Sequence, residues 1–243
     1  MGQKKLIRFE AIKGFENVLE YPKEMKGKWH TFFKNDHPIT LELACGKGEY
    51  SVGLGRLYPE RNFIGIDLKG NRIWRGAKTA LEEGLNNVAF LRSHIDKLAD
   101  YFEPGEVAEI WITFPDPQLR NSRMKKRLTF PRFLRLYRQV LQPGGPVNLK
   151  TDSPDLYGFT KAVIGLYDLE LLADDDNIYA KGEVSPELAI KTHYEGLDIA
   201  GSNRVHYLRF RINGDLPPEK DQQLKEMFAV TEDDETPETD TED

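Results

Sequence analysis

Between Ile39 and Gly165, short β-type apolar runs alternate with longer amphipathic stretches, and this order leaves few architectures open. The pattern predicts strands at Ile39–Ala44, Asn62–Ile66, Val88–Arg92, Glu109–Phe114 and Pro146–Lys150. It predicts helices at Glu49–Tyr58, Asn71–Glu83, Ile95–Tyr101, Pro131–Val140 and Ser153–Gly165. Successive β-α-β units force right-handed crossovers, hence a mostly parallel sheet with helices on both faces. Two further runs, Leu169–Ala173 and Val205–Ile212, flank a polar insert instead of a helix and suit an antiparallel edge pair. The expected fold is a doubly wound α/β domain on a mostly parallel, seven-stranded sheet with an antiparallel edge.

Length and charge agree with one such domain. The chain has 243 residues, close to the roughly 250 that a large α/β domain occupies. No apolar run reaches the roughly 18 residues that span a bilayer, so no membrane association is expected. The first residues carry charge without an apolar core, and Cys45 is the only cysteine, which points to a cytoplasmic address. His30, His37, His94, His193 and His206 are scattered without ligand spacing, so no metal is expected. The net charge of -6 hides an asymmetry, because residues 231–243 hold eight acids and no Lys or Arg, leaving the rest at +2. Such a tail is expected to be disordered, serving either as a solubilising extension or as a competitor with nucleic acid for a basic face. Residues 1–35 are expected to form a basic N-terminal arm, and 36–230 the folded domain.

Chemistry concentrates after the first and second strands. In Glu42-Leu43-Ala44-Cys45-Gly46-Lys47-Gly48-Glu49, Gly46 and Gly48 let the backbone turn tightly and approach a ligand. Ser51 stands where a dinucleotide site has its third glycine, and Glu42 would repel a pyrophosphate but attract an ammonium group. Asp67 closes the second strand, where a carboxylate either accepts ribose hydroxyls or caps the next helix. Adenosine plus an ammonium group describes S-adenosylmethionine. His94 follows the third strand and is placed to meet adenine, as is Asp96; each also suits a solvated turn. Cys45 has no paired base and reads as a small packing residue.

Thr113-Phe114-Pro115-Asp116-Pro117 holds Asp116 between two rings that fix φ, in a stiff turn. From Arg120 to Arg138, eight cations and no acid fall within nineteen residues, a composition that fits nucleic-acid contact. Phe130, Phe133 and Tyr137 recur there at helical spacing and read as core.

With this segment added, the chain resembles the bacterial tRNA (guanine-N7-)-methyltransferases, class I Rossmann-like enzymes that act on guanine 46 of tRNA. The resemblance runs from about Leu41 to Ile212. It covers Glu42 to Gly48 as the family's E-x-G-C-G-x-G loop, Gly65-Ile66-Asp67, the F-P-D-P motif, Gly144-Gly145 with Lys150-Thr151-Asp152, and Thr192-His193-Tyr194-Glu195 as T-x-Y-E. It implies S-adenosylmethionine as methyl donor, held by Glu42, Gly46, Gly48, Asp67, His94 and Asp116. It also implies Asp116 as the catalytic group, tRNA as partner, and Arg120, Asp152, Thr192 and Glu195 on the substrate side; the protein is expected to be a monomer or a homodimer. Arg120 stands where the family has lysine, and His94 where it tends to have Asp. These departures leave open a catalytically inactive RNA-binding module of the same fold. A nicotinamide-dependent dehydrogenase is disfavoured by the missing third glycine.

Overall fold

The computed structural model describes residues 2–180, 182–197, 201 and 203–229; the acidic tail from 231 onward lies outside the described residues. The first half of the chain forms α1 (Gly2–Ala11), β1 (Val18–Glu20), α2 (Trp29–Phe33), β2 (Ile39–Leu43), α3 (Glu49–Leu57), β3 (Asn62–Asp67), α4 (Gly70–Glu82), β4 (Val88–Arg92) and α5 (Leu98–Tyr101). The second half forms β5 (Val107–Thr113), α6 (Pro131–Val140), β6 (Pro146–Thr151), α7 (Pro154–Leu166), β7 (Glu170–Asp175), α8 (Pro186–Ala189), β8 (His206–Arg211) and α9 (Lys220–Ala229).

All eight strands join one sheet in the order β1-β4-β3-β2-β5-β6-β8-β7. β8 pairs antiparallel with both β6 and β7, and the other pairings are parallel. The period-2 alternation of the strands feeds two apolar layers. Leu41, Leu43, Ile64, Ile110 and Ile112 pack toward α2, α5, α6, α7 and α9, whereas Phe63, Phe90 and Trp111 pack toward α3 and α4. α6 shows why its segment is helical: Pro131 pre-sets the first turn, and Phe133, Leu134, Tyr137 and Val140 form one buried stripe.

The sheet has one strand more than the seven expected. Val18–Glu20 pairs with Phe90–Arg92 of β4, and three residues are too few to show a period in the sequence. The same N-terminal segment places Trp29 wholly inside the domain. Its ring stacks on Phe102 with centroids 5.2 Å apart, and its Nε1 donates to the Tyr101 carbonyl at 2.9 Å.

The site follows from the winding. From β2 the chain moves outward through β3 and β4, then returns to β5 on the other side of β2 and moves outward again through β6. A crevice therefore opens beyond the carboxyl ends of β2 and β5, where strand order reverses. Among the described residues no helix is long and apolar enough to cross a membrane, and no group of three or more His, Cys, Asp or Glu is arranged to hold a metal.

Candidate active site

A cavity of about 770 Å³ fills this crevice, walled by the loop after β2, the end of β3, the Thr113–Pro117 turn, the β6–α7 junction and the segment around Thr192. Glu42 lies in its floor. As an even position of β2 it faces the α3 layer, where Oε2 accepts from both the amide and the hydroxyl of Ser51 and Oε1 accepts from Thr113 Oγ1 at 2.8 Å. Burial, with no cationic partner among the described residues, pushes its carboxyl up to about 7, only partly offset by those hydrogen bonds. Three of its roughly four acceptor positions are taken, leaving one on Oε1.

The loop itself is a run of left-handed residues. Ala44, Gly46 and Gly48 have φ of 58°, 56° and 69°. A Cβ on Gly48 would come within 2.3 Å of the Phe90 ring, so only glycine fits where α3 starts. Asp67 ties this loop to the next strand: one oxygen accepts the Gly46 amide at 3.0 Å and the other the Lys69 amide at 2.8 Å, an Asx turn leading into α4. Burial raises the Cys45 thiol pKa well above the ordinary value, and the neighbouring carboxylates of Glu42 and Asp67 add to the shift; it is an inert packing residue.

On the other wall, β5 ends in Thr113 and the chain turns through Phe114 at φ 45°, an unusual conformation for a bulky residue. The Phe114 amide donates to the Lys150 carbonyl at 2.8 Å, extending the β5–β6 ladder by one rung. Asp116 stands exposed at the cavity edge, its Oδ1 accepting the Gln118 amide at 3.0 Å. Arg127 braces this turn from behind. It is buried on the Phe159 ring at 4.5 Å and donates to the carbonyls of Pro117, Gln118 and Leu119 at 3.2 to 3.4 Å.

Asp152, at the β6–α7 junction, lines the cavity, as do Thr192 and Tyr194. The Tyr194 ring has the Arg72 guanidinium 5.8 Å from its centroid. Glu195 turns away: Oε2 accepts from Lys150 Nζ at 2.9 Å and Oε1 from the Tyr179 hydroxyl. His94 is exposed after β4 and Arg120 is exposed beyond the turn; neither lines the cavity. Six of the ten residues singled out from the sequence thus line the cavity, Gly48 and Glu195 lie next to lining residues in the chain with Glu195 turned away, and His94 and Arg120 lie outside it.

The chain matches, over residues 36–200, a family described as putative methyltransferase. It is 51% identical over 210 residues to a tRNA (guanine-N(7)-)-methyltransferase of Porphyromonas gingivalis, covering 82% of this chain and 85% of that one. A tRNA (guanine-N(7)-)-methyltransferase of Christiangramia forsetii is 50% identical over 224 residues, 87% of this chain and the whole of the relative. The chain belongs to this family. Among solved structures, the 16S rRNA methyltransferase KamB superposes with a TM-score of 0.57 at 15% identity, over 76% of this chain and 92% of that one. An antibiotic-related methyltransferase gives 0.56 at 15% identity, over the same shares. Such distant likenesses show the fold alone: the doubly wound sheet expected from the alternation of strands and helices, in the class I methyltransferase form that the resemblance implies.

Family membership makes the local departures informative. Where the tRNA (guanine-N7-)-methyltransferase loop reads E-x-G-C-G-x-G, this chain has Ala44 in place of the first glycine, at a φ of 58°. The basic run after Pro117 divides into two sets. Arg127 is buried, Arg135 is bidentate to Asp221, Arg138 pairs with Asp215 and Arg132 with Asp96. Arg120, Arg123, Lys125 and Lys126 are exposed and form no ion pair among the described residues. Net charge per segment could not separate these sets, because it does not tell which cations face inward. The contacts of two further residues, Ser51 with Glu42 and Lys150 with the 188–195 stretch, were not foreseen from the sequence. Ser51 carries a usable signal, as the hydroxyl at the missing third-glycine position; Lys150 stands in a motif, but nothing local announces its acceptors, which lie 38 to 45 residues away.

Proposed function

We propose that the protein transfers a methyl group from S-adenosylmethionine to N7 of a guanine in tRNA, with guanine 46 as the target, and that it works in the cytoplasm as a monomer or a homodimer. The observation that carries this reading is the meeting of the donor loop and the Thr113–Pro117 turn across one cavity at the switch point, in a chain about half identical to its tRNA-modifying relatives. The cavity fits the donor. Glu42, a buried carboxylate with no cationic partner among the described residues, is complementary to an ammonium group, and Asp67 retains acceptor capacity for ribose hydroxyls. Gly46 brings backbone close to the same space.

When bound, the donor supplies an electrophilic sulfonium methyl. Guanine N7 presents a lone pair and no proton, so the protein requires no general base, and its carboxylates have other work. Asp116 and Asp152 accept from the N1 and N2 donors of guanine, Thr192 adds a hydroxyl contact, and Asp116 stabilises positive charge that develops on the purine. Orientation of this kind supplies roughly 7–11 kcal/mol of a barrier. The base must leave its stack to reach the cavity. The exposed cations Arg120, Arg123, Lys125 and Lys126, beside the turn that carries Asp116, hold phosphates while it does so.

The experiment is methyl transfer from labelled donor to bulk tRNA lacking 7-methylguanosine, followed by mapping of the product. Label in the variable loop is expected, with Asp116→Ala at least about 100-fold slower at saturating tRNA. Binding of tRNA without transfer would favour the inactive module instead.

A further inference from the structure

Lys150 does not line the cavity but lies buried behind its walls, and it belongs to none of the roles above. Its side chain has no exposed surface, and all three ammonium protons are used: to the carbonyls of Leu188 and Ile190 at 2.8 and 2.9 Å, and to Glu195 Oε2 at 2.9 Å. Every acceptor lies in one stretch, 188–195, whose Thr192 and Tyr194 line the cavity. The carbonyl of the same lysine holds the Phe114 amide, and its ammonium lies 5.5 Å from the centroids of the Phe114 and Tyr50 rings. One residue therefore grips two walls of the cavity, the turn that carries Asp116 and the segment opposite it. Glu195 is the other half of this grip. Its side chain is 5% exposed, it also accepts from Tyr179, and its amide donates to Thr192 Oγ1 at 3.2 Å. An apolar residue at 150 would bury equally well but would strand two carbonyls and a carboxylate.

We infer that Lys150 is a positioning residue for methyl transfer, locking the 188–195 segment over the cavity through Glu195, and that Glu195 acts through this lock and not on the guanine. The kinetic consequence rests on the function proposed above; the lock itself does not. A direct reader of the base and a member of the lock differ in how their losses combine, since groups that act as one unit are non-additive.

The test is a double-variant cycle on kcat/KM for tRNA, using Lys150→Met, Glu195→Gln and the pair, alongside amide hydrogen exchange of each variant. Each single change is expected to lower kcat/KM by roughly 30- to 100-fold, and the pair by no more than about threefold beyond Lys150→Met. Exchange across 188–195 is expected to accelerate at least about tenfold in Lys150→Met while amides of β2 to β5 keep their protection. Losses that multiply would overturn the inference by making Glu195 an independent contact, and so would unchanged exchange in the segment. Should Lys150→Met fail to fold, Tyr179→Phe replaces it, since that side chain sits at the exposed border of the lock and contacts the same carboxylate. A wild-type protein that moves no methyl to tRNA would defeat the proposed function, while the exchange arm would still decide whether the lock exists.

Discussion

Glu42 is under two opposed demands. The folded chain holds it buried among Ser51 and Thr113, whereas a cationic donor requires it ionised. With its carboxyl raised from 4.5 to about 7, ionisation penalises the donor-free fold. The penalty is absent below about pH 4.5, grows as pH rises and is complete above pH 7. Glu42→Gln preserves shape and hydrogen bonding, because the amide oxygen can accept from Ser51 and its NH₂ can donate to the Thr113 hydroxyl. Urea denaturation without donor should therefore find Glu42→Gln more stable than wild type at pH 8, by on the order of 3 kcal/mol, and equal to it near pH 4.5. Donor affinity of the wild type, by calorimetry, should weaken as pH falls below 7, while Glu42→Gln binds weakly at every pH. A gain in stability that ignores pH would mean that Glu42 is not the titrating group.

The Pro117-to-Val140 stretch is two devices spliced together. Arg127 belongs to the scaffold: its guanidinium holds three carbonyls of the turn behind Asp116, and burial lowers its pKa. Arg123, Lys125 and Lys126 lie on the exposed side of a 3-10 turn spanning Asn121–Lys126. The two sets should separate cleanly in experiment. Arg127→Ala should lower stability by on the order of 2 kcal/mol, the worth of hydrogen bonds made by a charged group, and should slow turnover with little change in salt dependence. Arg123→Ala or Lys125→Ala should leave the thermal midpoint in place and reduce the slope of log affinity for tRNA against log salt by about 0.7 to 0.9 each. An Arg127→Ala protein of normal stability with a shallower salt slope would reverse these assignments.

At the scale of the whole molecule, the N-terminal segment works as part of the domain. Trp29 is fully buried against Phe102 and Tyr101, and β1 closes the sheet beside β4. Trp29→Ala should cost about 3–5 kcal/mol, read by denaturant unfolding, where a detached arm would show no loss. What the sequence displayed and what it concealed follow from range. β2, β3, α4 and α6 were legible because alternation or helical spacing recurs within each of them, and Glu42, Asp67 and Asp116 because they sit at fixed offsets from strand ends and glycines. β1 was too short to show a period. The Lys150–Glu195 pair, the inward Arg127 and the buried Trp29 depend on contacts between residues far apart in the chain, which no local pattern encodes.

In the proposed function, the cavity between the donor loop and the Asp116 turn delivers a methyl group to N7 of one guanine. The most direct measurement uses two tRNA transcripts that differ only at position 46, one with guanosine and one with 7-deazaguanosine, which keeps the N1 and N2 donors and lacks N7. Both are expected to bind with similar affinity, and only the guanosine transcript is expected to take up labelled methyl. Undiminished transfer to the 7-deazaguanosine transcript would contradict the claim.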